Sequence, residues 1–267
     1  MSRSFGKLVI FIIVATFAAS GVAFDTSRIE DPEVRACAER ALPSKTASQL
    51  QKVQVTGKNG HVRESLREMY WRRAENNDSR ILVRVLEPID DRGVSVLIND
   101  DADRNKVSYM SYSPHLKRVR RVTGKSFFGS ILGTDFTYED FSYFYRVDDR
   151  EEVVRVEDTV VNEHPAYVLE TVKPGENSNY SMVRFFIDKK ICLPVRSEFL
   201  ALNGEIRKEL TIEREEVRKV DGRWVPFKST MQDNKLKTKS VFIVEEVEID
   251  PMLQDGMFEV SELRRSH

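Results

Sequence analysis

The chain has 267 residues and a formal net charge of −1, with 42 Lys or Arg against 43 Asp or Glu. Its 15 Phe, 8 Tyr and 2 Trp are enough to build a core, and together with the near-zero net charge they exclude a disordered chain. The balanced charge also gives no reason to expect a nucleic-acid partner. With 2 Cys and 4 His, none of the His at metal-ligand spacing, the composition excludes a disulfide-dense scaffold and a four-cysteine zinc site.

The first 23 residues have the pattern of a secretory signal peptide. Arg3 and Lys7 precede an apolar run over residues 8–19, which is shorter than the roughly 20 residues that a membrane-spanning helix needs. Small residues at Gly21 and Ala23 then predict cleavage after Ala23. An uncleaved N-terminal anchor is the alternative.

Export would place Cys37 and Cys192 where disulfides form. The sequence leaves their state open. Cys37 falls on the apolar stripe of a predicted helix and Cys192 falls in a strand-like tract, so the favoured interpretation is that both are core residues, with a disulfide as the alternative. A nucleophilic Cys192 would need a positioned His, and no motif ties His164 to it.

A short helix is predicted to begin at Asp31 and Pro32, because Asp is a good N-cap and Pro suits the first helical position. Apolar residues continue at helical spacing to Ala41, and Pro43 ends the helix. Alternating apolar and polar residues then predict about ten or eleven strands. The clearest are residues 80–86, 93–98, 106–112, 182–187 and 241–249.

Three turn dipeptides lie between strand-like runs: Asn59-Gly60, Asn203-Gly204 and Asp221-Gly222. They tolerate the positive φ of tight hairpin turns, and such turns join antiparallel neighbours. No repeat or linker divides the chain. The sequence therefore predicts a mainly β fold, a single curved antiparallel sheet or half-open β-barrel, as one domain over residues 24–267.

Residues 126–145, which we call the aromatic segment, break the alternation. Eight aromatic residues fall within it, Gly129 and Gly133 punctuate it, and Thr137-x-x-Asp140 has the form of a helix capping box. We interpret it as a loop followed by a short amphipathic helix. It either plugs the barrel and completes the core or forms a mobile lid over a ligand cavity. A basic cluster lies just upstream and comprises Lys117, Arg118, Arg120, Arg121 and Lys125.

No catalytic motif stands out, since H-E-x-x-H, G-x-S-x-G and a glycine-rich phosphate loop are all absent from the sequence. Asp135, Glu139 and Asp140 form an acidic cluster beside aromatic residues, and such a cluster could serve glycoside hydrolysis. Helix capping explains Asp140 and turn chemistry explains Asp135, however. We therefore expect a protein that is not an enzyme and uses no metal or cofactor.

Residues 116–141, LKRVRRVTGKSFFGSILGTDFTYEDF, resemble the signature of the LolA-like outer-membrane lipoprotein-sorting proteins. The family pattern has a basic strand, a loop and then G-T-D-F-T-Y-E-D, which here occupies residues 133–140. Residues 184–199, RFFIDKKICLPVRSEF, resemble the strand, turn and Leu-Pro-Val-Arg strand of the family. The resemblance covers essentially the whole mature chain.

The resemblance implies a half-open antiparallel barrel around short helices, with an apolar cavity that binds the acyl chains of lipoproteins or lipids in the periplasm. Classical members take a lipoprotein from an inner-membrane transporter and pass it to an outer-membrane acceptor. Members of this branch are associated with resistance-nodulation-division type lipid exporters. The expected partners are therefore acylated cargo, an inner-membrane transporter or exporter, and an outer-membrane acceptor.

We expect the aromatic segment to line or cover the cavity and the basic strand to meet a head group or an acidic partner. The predicted lipid-binding residues are Phe127, Phe128, Ile131, Leu132, Phe136, Tyr138 and Phe141. The predicted head-group or partner contacts are Arg118, Arg120 and Arg121. The alternative function is a non-carrying accessory or adaptor protein of a lipid exporter or envelope complex, with the same barrel filled by Trp71, Trp224 and the aromatic segment.

Overall fold

The computed structural model describes residues 31–41, 45–73, 78–101, 106–144, 152–172 and 177–264, so the predicted signal peptide lies outside the described residues. Two α-helices occur in the described part, α1 at Pro32–Arg40 and α2 at Tyr138–Ser142. The strands are β1 Thr46–Thr56, β2 Val62–Arg73, β3 Ser79–Glu87, β4 Ser95–Asp101, β5 Lys106–Ser113, β6 Arg118–Arg121, β7 Glu152–Val161, β8 His164–Val172, β9 Tyr180–Asp188, β10 Pro194–Ala201, β11 Ile206–Ile212, β12 Val217–Val220, β13 Arg223–Pro226, β14 Lys228–Asp233 and β15 Thr238–Ile249.

Thirteen of these strands form one antiparallel sheet in the order β6-β5-β4-β3-β2-β1-β15-β14-β11-β10-β9-β8-β7. β12 and β13 form a separate hairpin. The edge strands β6 and β7 do not pair with each other, so the sheet does not close into a barrel. The predicted mainly β fold with a single antiparallel sheet is confirmed. The strand count was too low, because strands of four residues such as β6 and β12 are too short to show alternation.

One face of the sheet forms the interior. In β1, Ala47, Gln49, Gln51 and Val53 are buried and alternate with more exposed residues. Opposite residues of an antiparallel pair share a face. The residues of β2 that lie opposite these four, and therefore also face inward, are Trp71, Met69, Arg67 and Ser65.

The described part of the aromatic segment, residues 126–144, crosses this interior face. The ring of Phe136 lies 5.7 Å from that of Phe242 in β15, and the ring of Phe144 lies 5.4 Å from that of Phe185 in β9. Both contacts have edge-to-face geometry, which aromatic pairs favour. The segment thus fills the part of the interior that is built from β9, β10 and β15, and it also packs against Tyr109 of β5.

The helix α1 begins as the sequence predicts. The carboxylate of Asp31 accepts a hydrogen bond from the backbone N–H of Val34 at 3.1 Å, which is the N-cap contact. Its other oxygen lies 2.6 Å from Nη1 of Arg155 in β7. The hydrogen bond from Arg155, followed by that from Val34, holds the pKa of Asp31 below its usual value. The helix is therefore tied to the edge of the sheet at its first turn.

A disulfide ties the same helix to the turn between β9 and β10. Sγ of Cys37 lies 2.07 Å from Sγ of Cys192. The favoured interpretation of two separate core thiols was therefore wrong, although both residues are buried as expected. Sequence periodicity places each Cys on an inward face but carries no information on which residues from 155 positions away lie opposite it.

The opposite face of the sheet is partly covered by the C-terminal residues. Leu82 of β3 and Leu97 of β4 pack against Phe258 and Leu263 in a second, smaller apolar cluster. Arg84 donates to the backbone carbonyl of Glu262 at 3.0 Å. The sheet is therefore apolar on both faces along β3 and β4, and this explains why these strands read as nearly continuous apolar runs.

Candidate functional site

A cavity of about 650 Å³ lies on the interior face, between the β1–β6 half of the sheet and the aromatic segment. Its apolar lining includes Val55, Val85 and Val96 of the sheet and Leu132 and Tyr138 of the aromatic segment. The volume lies within the range of small-molecule sites, about 300–1,000 Å³. The interior is therefore packed beside β9, β10 and β15 and contains a cavity beside β1–β6.

The lining also carries an excess of positive charge. Its acidic residues are Glu64 and Asp91, and Glu64 lies 3.1 Å from Nζ of Lys52. The hydrogen bond from Lys52 holds the pKa of Glu64 below its usual value. The cationic residues in the lining are Arg63, Arg67, Arg118 and Arg120. Guanidinium groups bind carboxylate and phosphate oxygens in bidentate pairs, so this lining suits an anionic group.

Arg67 is the most deeply placed of these cations and is only 5% exposed. Its Nε donates to Oγ of Ser65 at 2.9 Å, and its Nη2 donates to the backbone carbonyl of Leu132 at 2.9 Å. Among the described residues, no carboxylate lies within 4.0 Å of its guanidinium group. Burial lowers the pKa of Arg67 to about 10, so the group still carries its charge at neutral pH. A buried cation without a carboxylate partner is costly, and a bound anion would offset that cost.

The loop that Arg67 holds has an unusual backbone. Leu132 has a φ of 50° and Gly133 a φ of 74°, both in the left-handed region. This region suits Gly133 but is rarely adopted by a residue with a branched side chain such as Leu132. The hydrogen bond from Arg67 therefore fixes an unfavourable conformation at the wall of the cavity.

The predicted lipid-binding residues separate into two groups. Leu132 and Tyr138 line the cavity, whereas Ile131, Phe136 and Phe141 are buried in the filled core and do not. The remaining two, Phe127 and Phe128, also lie outside the lining; Phe127 packs 6.0 Å from the ring of Tyr109, and Phe128 is 36% exposed. Most of the predicted aromatic residues therefore complete the core, as in the plug interpretation.

The three predicted arginines do not act as one cluster. Arg118 and Arg120 line the cavity, but Arg121 lies opposite Met110, whose side chain packs into the apolar cluster of the other face. Successive strand residues point to opposite faces, which separates Arg120 from Arg121. Arg121 is exposed.

Buried acids fix the aromatic segment to the sheet. Asp140 accepts from the backbone N–H of Thr137, which confirms the predicted capping box, and lies 2.6 Å from Nζ of Lys208 in β11. The hydroxyl of Tyr180 in β9 also donates to Asp140. Burial, followed by the charge of Asp140, raises the pKa of Tyr180 above its usual value. Asp140 and Lys208 are both nearly inaccessible, so the contact is a buried ion pair.

The other two acids of the motif act in the same way. Asp135 accepts from Oγ of Ser240 in β15 at 2.6 Å and from the hydroxyl of Thr238. Glu139 accepts from the backbone N–H and the side-chain amide of Asn179, each at 2.7 Å. The acidic residues that raised the question of glycoside chemistry are thus all engaged in anchoring. This arrangement holds residues 135–140 in place and opposes their motion as a lid.

Sequence reasoning missed Arg63, Arg67 and Lys208. A signal for Arg67 was present, since Ser65, Arg67, Met69 and Trp71 alternate with outward residues and a charged residue stands on the apolar side. Inward charges are rare and mark functional or paired positions. Lys208 follows the same rule in β11, where its inward neighbours are apolar.

The described residues contain no group of three or more His, Cys, Asp or Glu that could hold a metal ion. In the same part of the chain, no helix combines the length and apolar character needed to cross a membrane. The chemistry that the cavity offers is the binding of an anionic group beside an apolar wall.

Solved structures share this architecture. A domain described as an outer membrane lipoprotein-sorting protein from Vibrio parahaemolyticus has a TM-score of 0.76 at 19% identity, covering 87% of this chain and 97% of that chain. A DUF1329 family protein from Desulfovibrio piger has a TM-score of 0.76 at 20% identity, with coverage of 86% and 96%. A LolA superfamily protein from Nitrosomonas europaea has a TM-score of 0.64 at 16% identity, with coverage of 86% and 98%. The fold is therefore LolA-like.

Within this fold class the chain has a defined family. Residues 77–265 match a family model whose description reads "Uncharacterized protein", and the chain belongs to that family. No curated protein matches the sequence. None of the three structural relatives above is described as an enzyme.

Proposed function

We propose that this protein is a periplasmic carrier that binds an acylated, anionic amphiphile in the cavity beside β1–β6. The observation that carries the proposal is the buried Arg67, which faces a cavity of about 650 Å³ without a carboxylate partner among the described residues. The apolar wall would hold part of an acyl chain, and the arginines would hold its head group. The predicted signal peptide and the names of the sorting-type relatives support an envelope location.

The energetics suit a ligand that must be released again. Each methylene buried contributes about 0.8 kcal/mol. The cavity offers a limited apolar wall, since Ser65, Ser111 and Ser113 also line it, so the gain from a chain is moderate. Bidentate contacts from Arg118 and Arg120 to a phosphate would supply directional binding that salt or a competing partner weakens. A carrier needs this balance between capture from an inner-membrane transporter or exporter and release to an outer-membrane acceptor.

A non-carrying adaptor is the second candidate, and the filled half of the interior favours it. Trp71 in β2 and Phe136 in the aromatic segment are both almost completely buried, as an adaptor requires. Trp224 lies elsewhere, against the small cluster of Ile191, Leu193 and Val195. An adaptor would leave the cationic cavity without a ligand, so occupancy of the cavity separates the two functions.

The first test is native mass spectrometry of the full chain, exported by its own N-terminus and purified from the periplasm without detergent, followed by lipid extraction. Stoichiometric anionic phospholipid or another acylated species would support the carrier. An unliganded mass, together with no binding of a fluorescent fatty-acyl probe, would contradict it and favour the adaptor.

Substitutions in the cavity sharpen this test. Arg67→Met removes the buried charge and should weaken binding of lysophosphatidylglycerol, an anionic single-chain amphiphile, on the order of tenfold or more. Arg118→Gln with Arg120→Gln should act in the same direction. Arg121→Gln is the matched control, because it removes an arginine from the same strand on the other face of the sheet. If Arg67→Met and Arg121→Gln bind lysophosphatidylglycerol with equal affinity, the proposed role of the cavity arginines in head-group binding is contradicted.

A further inference from the structure

Among the turns that the structure describes in full, five turns of the large sheet lie at the end where β1 finishes and β2 begins. Antiparallel neighbours reverse direction, so every second turn returns to the same end. Thr56 at the end of β1 lies opposite Val62 at the start of β2 and opposite Lys239 near the start of β15. We call these turns the rim, and they comprise residues 57–61, 88–94, 114–117, 202–205 and 234–237.

Four of the rim turns expose a large aliphatic side chain. These are Ile89 at 70% exposure, Leu116 at 52%, Leu202 at 73% and Leu236 at 54%. Val62 and Ile206, which flank rim turns, are also exposed. Six of the ten large apolar side chains that are exposed among the described residues thus fall at one end of the sheet. The enrichment belongs to this end and is not a general property of the surface.

Basic residues flank these side chains. Lys117 follows Leu116 directly, and Lys235 and Lys237 enclose Leu236. All three are exposed. Long basic side chains beside an aliphatic residue place the apolar group in a lipid layer while the charge stays at the head groups. The rim also contains acids, Asp90 and Asp91 beside Ile89 and Glu205 beyond Leu202, so its attraction to anionic lipid is moderate.

The spacing of the aliphatic residues favours a bilayer over a protein partner. The turns before β4 and before β6 are two strands apart, about 10 Å at the usual strand spacing. They are joined by a contact of 2.7 Å between Nε2 of His115 and the carbonyl of Asp90. In each of the four turns a polar residue directly follows the aliphatic one, namely Asp90, Lys117, Asn203 and Lys237. A protein interface buries a contiguous apolar centre, whereas a fluid lipid layer admits separate side chains.

Two of the rim turns, 88–94 and 114–117, also contribute to the lining of the cavity. Pro88, Asp91 and Leu116 belong to rim turns and line the cavity, and Arg63 and Arg118 lie just beyond them. We propose that the rim docks on the surface of a phospholipid bilayer, with the cavity entrance facing the lipid. Bilayer docking does not require that the cavity binds cargo; only its purpose, transfer of an amphiphile between membrane and cavity, rests on the proposed function.

The test is flotation of the full-length protein with vesicles of phosphatidylethanolamine and phosphatidylglycerol. A variant that combines Ile89→Ser, Leu202→Ser and Leu236→Ser should bind these vesicles at least about tenfold more weakly than the unchanged protein. None of the three residues lines the cavity. Binding of the fluorescent fatty-acyl probe should therefore be unchanged in this variant.

The matched control combines Val160→Ser, Met252→Ser and Val260→Ser, which removes three exposed apolar side chains away from the rim. The control should bind vesicles as the unchanged protein does. Vesicle binding that is absent in the unchanged protein, or that both triple variants lose equally, would overturn the proposal. If the unchanged protein binds the fatty-acyl probe but not vesicles, the docking proposal fails and the carrier proposal stands. If it binds vesicles but not the probe, the docking proposal stands and the carrier proposal fails.

A second measurement reports insertion directly. In Leu236→Trp, the fluorescence of the new indole should be quenched by brominated phospholipid when vesicles are added. In Val160→Trp, the same lipid should leave the fluorescence of the introduced indole unchanged. Equal quenching at both positions would show that the rim has no preferred contact with the bilayer.

Discussion

Lys208 and Asp140 form an ion pair in the interior, with side chains that are 3% and 0% exposed. Lys208 also donates to the backbone carbonyl of Asp135 at 2.7 Å, and Tyr180 donates to Asp140. Such a pair gains little over an apolar contact, but breaking it leaves a charge without compensation in a medium of low polarity. At the scale of single residues, this pair fixes the aromatic segment to β11.

Lys208→Met should therefore be strongly destabilising. We expect the free energy of unfolding to fall by about 3–5 kcal/mol, because Asp140 would remain buried without its cation. Adding Asp140→Asn removes the orphaned charge and should recover part of the loss. Urea unfolding of the two single variants and the double variant, analysed as a double-mutant cycle, gives the coupling energy. Additive losses would mean that the two groups do not interact across the segment.

Arg67 shows the contrasting case of a buried charge with no carboxylate within 4.0 Å among the described residues. Its two hydrogen bonds, to Ser65 and to Leu132, satisfy part of its donor capacity. Asp91 lies close enough to favour the charged form, while Arg63 disfavours it. Lys208 thus has a carboxylate in contact, whereas Arg67 reaches only a hydroxyl and a backbone carbonyl.

At the scale of elements, α1 depends on two attachments rather than on its own length of nine residues. Helices of this length are marginal alone in water. The disulfide from Cys37 to Cys192 and the ion pair from Asp31 to Arg155 hold its two ends against the β7–β10 side of the sheet.

Removal of the disulfide should lower stability without changing the fold. The bridge closes a loop of 155 residues, so Cys37→Ala with Cys192→Ala should lower the free energy of unfolding by about 2–5 kcal/mol through a less constrained unfolded state. The measurement is urea unfolding with and without a thiol reductant. The unchanged protein should lose stability on reduction and the double variant should not. Equal sensitivity to reductant would show that the bridge is not formed in the exported protein.

The turns show how far local sequence predicts an element. Asp221 and Gly222 form a two-residue hairpin loop with φ of 46° and 81°, as the dipeptide predicts. In the turns of Asn59-Gly60 and Asn203-Gly204 only the glycine has positive φ, at 79° and 82°, and the loops are longer. The antiparallel pairing was predictable in all three cases because the dipeptides mark a chain reversal. Loop length was not, because it depends on the register of the flanking strands.

At the scale of the whole molecule, the interior combines a packed half and a hollow half. The alternation of strands identifies inward residues such as Phe185 and Val96, but it cannot say whether the space between them is filled. Of the predicted residues, Leu132, Tyr138, Arg118 and Arg120 therefore line the cavity, while Phe136 and Phe141 were assigned to it and lie in the core. Which half is filled depends on the path of the aromatic segment. That path is set by long-range contacts of Asp135, Glu139 and Asp140 that no local pattern contains.

The two halves should differ in local stability. Strands β9 and β10 are covered by buried aromatic rings, and the disulfide and the buried ion pair lie on the same side. Strand β6 is an edge strand of four residues, and two of these, Arg118 and Arg120, line the cavity. Local opening requires less free energy where few apolar contacts are lost. We therefore expect hydrogen exchange, followed by mass spectrometry, to be faster in β6 than in β9 and β10.

Ligand binding should then act on one half only. A ligand that binds the folded cavity stabilises the elements around it by mass action, so lysophosphatidylglycerol should slow exchange in β2–β6 and leave β9 and β10 unchanged. Arg67→Met should abolish this protection, and Arg121→Gln should retain it. Protection that spreads equally over the whole sheet would indicate that the two halves open together, and the amphiphile would then stabilise the fold as one cooperative unit.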